Sequence, residues 1–152
     1  MATSMMPSGN PPTTHAAPES RTNDRLEALV VFVGYAECRY LRWLRQGFKH
    51  CFVALHIGDR WVICDSLKNR IEFSQIKLPH DFSLGQFYRK RGHTVIAGYG
   101  YQQGLQGSAI PEILTCVTVV KRIIGLRSFW TFTPWQLFSL LNSMDDHWHL
   151  VE

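Results

Sequence analysis

The chain has 152 residues, 45% of them apolar and 12% aromatic, which is the length of one domain with enough apolar side chains to build its own core. Sixteen basic against twelve acidic residues leave a net charge of +4, a mild bias that favours approach to anionic cell-wall polymer, a membrane surface or nucleic acid without selecting among them. No RNP-type aromatic motif, helix-turn-helix signature or phosphate-binding glycine loop accompanies it, so no specific nucleic-acid partner is expected.

The first 24 residues are Pro, Ser, Thr, Asn, Gly and Ala with few large apolar side chains, and they read as a disordered tail before a single domain over 25–152. They contain neither a basic n-region nor an apolar h-region, so no secretory signal is expected; a cytoplasmic location follows, with export only by a non-Sec route. The longest apolar stretch, LEALVVFVGYA, is interrupted by Glu27 and is too short to span a bilayer. Leu26 to Val33 reads as a strand or a short buried segment, and AECRYLRWLRQGF mixes helical spacing with aromatics.

HCFVALHI and RWVICDSL are strand-like runs joined by Gly58 and Asp59, the pattern of a two-residue β-hairpin turn. Facing positions then sum to 117, which puts His50, Phe52, Ala54 and His56 on one face with Trp61, Ile63, Asp65 and Leu67, and turns Cys51 and Cys64 to the other. NRIEFSQIKL supplies a third strand, SLGQFYRKR a short amphipathic helix and HTVIAGYGY another strand. After the loop YQQGLQGS comes a helix opening near Cys116 and stopping at Gly125, and then one capped by Thr133 with Pro134 at its first position. Strands without βαβ spacing, followed by a helical end, predict an α+β domain in which an antiparallel sheet packs on helices.

Four cysteines without a CxxC pair argue against a zinc or dithiol redox motif, and a core this apolar does not need a disulfide scaffold. The informative cysteine is Cys116. A thiol at a helix N-terminus lies among backbone N–H groups without intrahelical partners, at the positive end of the dipole, where its pKa falls and the thiolate is favoured. Nucleophilic cysteine catalysis also needs a base and a group that orients it. His50, at the open end of a strand, is the candidate base, and Asp65, on the same face of the hairpin, the candidate orienter. The Cys116 amide is the natural first oxyanion donor, with Tyr101, Gln102 and Gln103 as candidates for a second.

The order of a strand-leading histidine, a hairpin, further strands, then TCVTVVKRIIGL and FTPWQLFSLL resembles the circularly permuted branch of the NlpC/P60 papain-like superfamily, over roughly residues 48 to 142. The resemblance implies a papain-like fold with Cys116 as nucleophile, His50 as base and a third polar residue near the end of the second hairpin strand, either Asp65 or Cys64. It implies a cysteine hydrolase that cleaves an amide or ester through a thioester, with a peptidoglycan peptide as substrate and no cofactor. The rival is a non-catalytic interaction module of the same fold, of phage or prophage type.

Other readings of these residues are structural. Cys116 also fits a core position among VTVV and RIIG, His50 a strand-end polar residue, and Asp65 an exposed carboxylate near the turn. His56 reads as a solvated hairpin residue, and Trp130, Trp135 and Phe138 as helix packing. A metal set of His50, Cys51, Cys64, His147 and His149 is disfavoured because His50 and Cys51 point to opposite faces of one strand; no metal is expected.

Overall fold

The computed structural model describes residues 25–35, 43–67, 70–101 and 115–152, with only the backbone of Tyr101. The predicted tail at 1–24, the oxyanion candidates Gln102 and Gln103, the side chain of Tyr101 and the first part of AECRYLRWLRQGF lie outside the described residues. The chain runs β1 (Arg25–Val33), β2 (His50–Ile57), β3 (Arg60–Ser66), β4 (Ile71–Ile76), α1 (Leu84–Lys90), β5 (Thr94–Tyr101), α2 (Cys116–Ile123), α3 (Pro134–Asn142) and β6 (Trp148–Leu150). The strands form one sheet in the order β4-β3-β2-β1-β5-β6, every neighbouring pair antiparallel. The class is therefore α+β, as the strand pattern predicts.

β1 is a central strand. Its residues from Ala28 to Val33 are all buried because both faces of the sheet are covered, so a β-branched run without polar alternation is what the position needs. Alternation then divides the core. Ala28, Val30, Phe32, Cys51, Val53, Cys64 and Ile96 face α2 and α3, where Val117, Val120, Leu137 and Leu141 are buried against them. Leu29, Val31, Val33, Phe52, Ala54, Trp61, Val95 and Ala97 face the other way, toward Leu84, Phe87 and Tyr88 of α1.

The hairpin has the predicted register: Val53 pairs with Cys64, Ala54 with Ile63 and His56 with Trp61, around Gly58 at φ 64°. The last strand is not part of the sequence expectation. β6 pairs with β5, and Trp148 crosses Gly98 so closely that a Cβ there would sit 2.5 Å from the indole and from the His147 carbonyl. Only glycine leaves room for that ring.

Helix ends follow their capping residues. Thr115 Oγ1 accepts from Thr118 N at 3.2 Å to open α2, which closes at Ile124 with Gly125 at φ 73°. Thr133 and Gln136 form a capping box at the start of α3, with Pro134 in its first turn. The part of AECRYLRWLRQGF from Trp43 onward is turn-like, and α3 is what fixes it. Phe48 packs on Trp135 and Phe138, with centroids 4.8 and 4.9 Å apart, and the Arg45 guanidinium lies 3.4 Å from the Trp135 ring centroid. No helix among the described residues is long and apolar enough to cross a membrane.

Candidate active site

Cys116 is the first residue of α2, one position beyond its N-cap, so its backbone N–H belongs to the turn that has no intrahelical acceptor. The side chain is partly buried at the edge of the α2-facing core, against a cluster that includes Cys51 and Val53 of β2. His50 is the first residue of β2 and stands opposite Val33, at the last rung of the β1–β2 ladder. By strand alternation His50 and Asp65 belong to the α1 face and Cys116 to the α2 face. Histidine and cysteine nonetheless act on each other, by a hydrogen bond and by charge, since each leads its element.

The imidazole is oriented by the hairpin. Its Nε2 lies 2.7 Å from Asp65 Oδ1, with the two side chains 14% and 30% exposed, enough shielding for the contact to hold the ring in place. Asp65 rather than Cys64 is the polar neighbour, since Cys64 turns into the α2-facing core with Cys51. With Nε2 occupied by the carboxylate, Nδ1 is the ring nitrogen left to exchange a proton with a thiol.

The electrostatics couple the three groups. Hydrogen bonding from the Cys51 thiol pulls Cys116 down; burial opposes this, and the His50 imidazole adds to the fall through a hydrogen bond and its charge, leaving the thiol at about 5. Burial pushes His50 down, but hydrogen bonding to Asp65 and Cys116 and their negative charge outweigh it and raise the ring to about 9. At neutral pH this is a thiolate beside an imidazolium. Burial drives Cys51 well above the ordinary thiol range, so it stays a neutral S–H donor, and burial likewise raises Cys64 to about 11.

The sequence reading missed Cys51. It set this residue aside for pointing away from His50, yet that direction is the one toward the N-terminus of α2. The signal was present in the alternation of HCFVALHI, once α2 is placed on the Cys51 face. His56, read as a solvated hairpin residue, is partly exposed and stacks on Trp61 at 4.8 Å, with its Nδ1 3.5 Å from Glu27 Oε2. Trp135 and Phe138 pack at the base of α3 as expected, whereas Trp130 is 84% exposed and packs no helix. That exposure corrects its reading as helix packing. Among the described residues no group of three His, Cys, Asp or Glu side chains is placed to hold a metal ion. No family model, curated protein or solved structure matches the chain.

Proposed function

We propose that this protein is a cysteine hydrolase of papain-like type, in the permuted NlpC/P60 arrangement that its sequence resembles, acting on a peptide amide of the peptidoglycan class. The observation that carries the reading is the coupled trio: Cys116 at the start of α2, its thiol lowered by its neighbours, and an imidazole held by Asp65 at 2.7 Å. A merely structural cysteine at a helix start needs no oriented histidine, and a merely structural histidine–aspartate pair needs no thiolate.

The chemistry proceeds from the ion pair. Cys116 Sγ attacks the carbonyl carbon, and the carbonyl electrons move onto oxygen, where the Cys116 backbone N–H donates to the developing charge. The tetrahedral intermediate collapses with cleavage of the C–N bond. His50 gives its Nδ1 proton to the departing amine, leaving a thioester and neutral imidazole held by Asp65. His50 then takes a proton from water, whose oxygen attacks the thioester carbon. The second collapse expels the thiolate and releases the acid.

The test is hydrolysis of purified peptidoglycan stem peptides by wild type, Cys116→Ala and Cys116→Ser. Wild type is expected to release new amine and acid termini, and both variants to lose turnover, since a hydroxyl near neutral pH is a far weaker nucleophile than a thiolate. A serine variant with wild-type turnover, or a wild type inert toward peptide amides and esters alike, overturns the reading in favour of the interaction module.

A further inference from the structure

We propose that the loop between α2 and α3, together with Trp43, is a docking surface for an anionic phospholipid bilayer. Phe129, Trp130 and Phe132 are 63%, 84% and 65% exposed, and Trp43 is 96% exposed. Large aromatic rings exposed to this degree match insertion at the headgroup boundary, where tryptophan and phenylalanine are favoured.

The loop is held in shape before any partner arrives. Lys121 Nζ, on a side chain buried in α2, donates to the Ser128 carbonyl at 2.7 Å, and the Ser128 and Thr131 hydroxyls are 2.7 Å apart. The Phe132 and Thr133 amides both donate to Gln136 Oε1, at 2.9 and 3.1 Å. Rings presented by an ordered loop lose little conformational freedom on insertion. Trp43 belongs to the same end of the molecule, because Arg45 and Phe48 seat its segment on Trp135 in the first turn of α3.

Charge selects the partner. From residue 115 to residue 144 the chain contains no Asp or Glu, and none occurs from 43 to 58; besides the buried Lys121, whose ammonium is taken up by the Ser128 carbonyl, these stretches carry Arg45, Lys49, Arg122 and the exposed Arg127, two positions before Phe129. The nearest following carboxylates, Asp145 and Asp146, come only after the whole of α3. Exposed aromatic rings with Arg127 beside them in the chain and no acidic residue between 115 and 144 complement a negatively charged lipid surface, whereas a neutral bilayer leaves that cation unused. This inference does not depend on the Cys116 chemistry.

The experiment is co-sedimentation of the full chain with vesicles of phosphatidylcholine, with and without phosphatidylglycerol, at low and raised salt. Wild type is expected to sediment with the anionic vesicles, to stay largely in solution with the neutral ones and to be released by salt. The double variant Trp130→Ala, Phe132→Ala is expected to lose about tenfold or more in binding, as removal of two inserting rings implies. Arg127→Glu, which leaves every ring in place, is expected to weaken binding only to the anionic vesicles. Tryptophan quenching by brominated lipid is expected in wild type and reduced in Trp130→Phe. The proposal is overturned by the absence of vesicle binding, by anionic-vesicle binding that the double variant and Arg127→Glu both retain, or by a loop that instead binds single-stranded oligonucleotide or a second copy of the chain while ignoring vesicles.

Discussion

The pH dependence of Cys116 alkylation tests the site without any knowledge of substrate. A thiol at about 5 is half ionised at pH 5, where one at the ordinary value of 9 has about one thiolate in ten thousand molecules, a population advantage on the order of 5,000-fold. Part of this is lost, because nucleophilicity falls with pKa: a Brønsted slope of about 0.45 over a four-unit shift costs roughly 60-fold. The net expectation is alkylation about 80-fold faster than an ordinary thiol at pH 5, but only about twofold faster at pH 7, so a single measurement at neutral pH would miss the effect. The assay is iodoacetamide labelling of the folded protein at a series of pH values, quantified on the Cys116 peptide by mass spectrometry, with urea-unfolded protein as the reference. Partial burial of the side chain slows every point alike and leaves the midpoint where it is. The rate should rise through about 5 and then level off, and His50→Gln should move the midpoint upward by removing both imidazole contributions. A wild-type midpoint near that of the unfolded chain refutes the thiolate, and a midpoint unmoved by His50→Gln refutes the pairing.

Hydrolysis should be bell-shaped in pH. Activity is gained as Cys116 ionises through about 5 and lost as His50 gives up its proton through about 9. Asp65→Asn removes the carboxylate that raises His50, so the alkaline limb should move to lower pH and kcat should fall; an unmoved limb would show that Asp65 does not act on the ring. Cys51→Ala removes the largest influence lowering Cys116, so the acid limb should move upward while binding of substrate changes little, a result read from kcat and KM across pH. Gly98→Ala should cost about 2 kcal/mol or more of stability, seen as a lower thermal midpoint, because the new Cβ meets the Trp148 ring and the His147 carbonyl at 2.5 Å. A midpoint equal to wild type would mean that β6 shifts at no cost.

Most of the sheet was legible because its signals are local. The Gly58–Asp59 turn fixes the hairpin register, the Thr133 cap fixes one helix start, and Gly125 fixes one helix end. Two features were not legible, each for a reason of distance. β6 is three residues long and has no alternation to betray it; it exists because Gly98, fifty residues earlier, leaves space for Trp148. Trp130 lies in a run of aromatics that composition assigns to a core. Its exposure follows from the Lys121–Ser128 and Thr131 contacts that turn the loop outward, which no window of sequence displays.

The same distinction explains the site. Period-two alternation correctly put His50 and Asp65 together, and it correctly put Cys51 on the opposite face; the inference that Cys51 was therefore irrelevant does not follow. A sheet end has no faces beyond its last rung, so a residue leading a strand can meet a group that its neighbour also meets from the other side. His50 leads β2 and Cys51 follows it on the α2-facing side, and the two act on the Cys116 sulfur in the same sense, Cys51 by a neutral S–H and His50 by a hydrogen bond and its charge. Burial that keeps Cys51 protonated is what makes it a donor. Were Cys51 exposed and ionised, its negative charge would raise Cys116 instead of lowering it, so the activation of the candidate nucleophile depends on a residue whose own acidity is suppressed by the packing of the core.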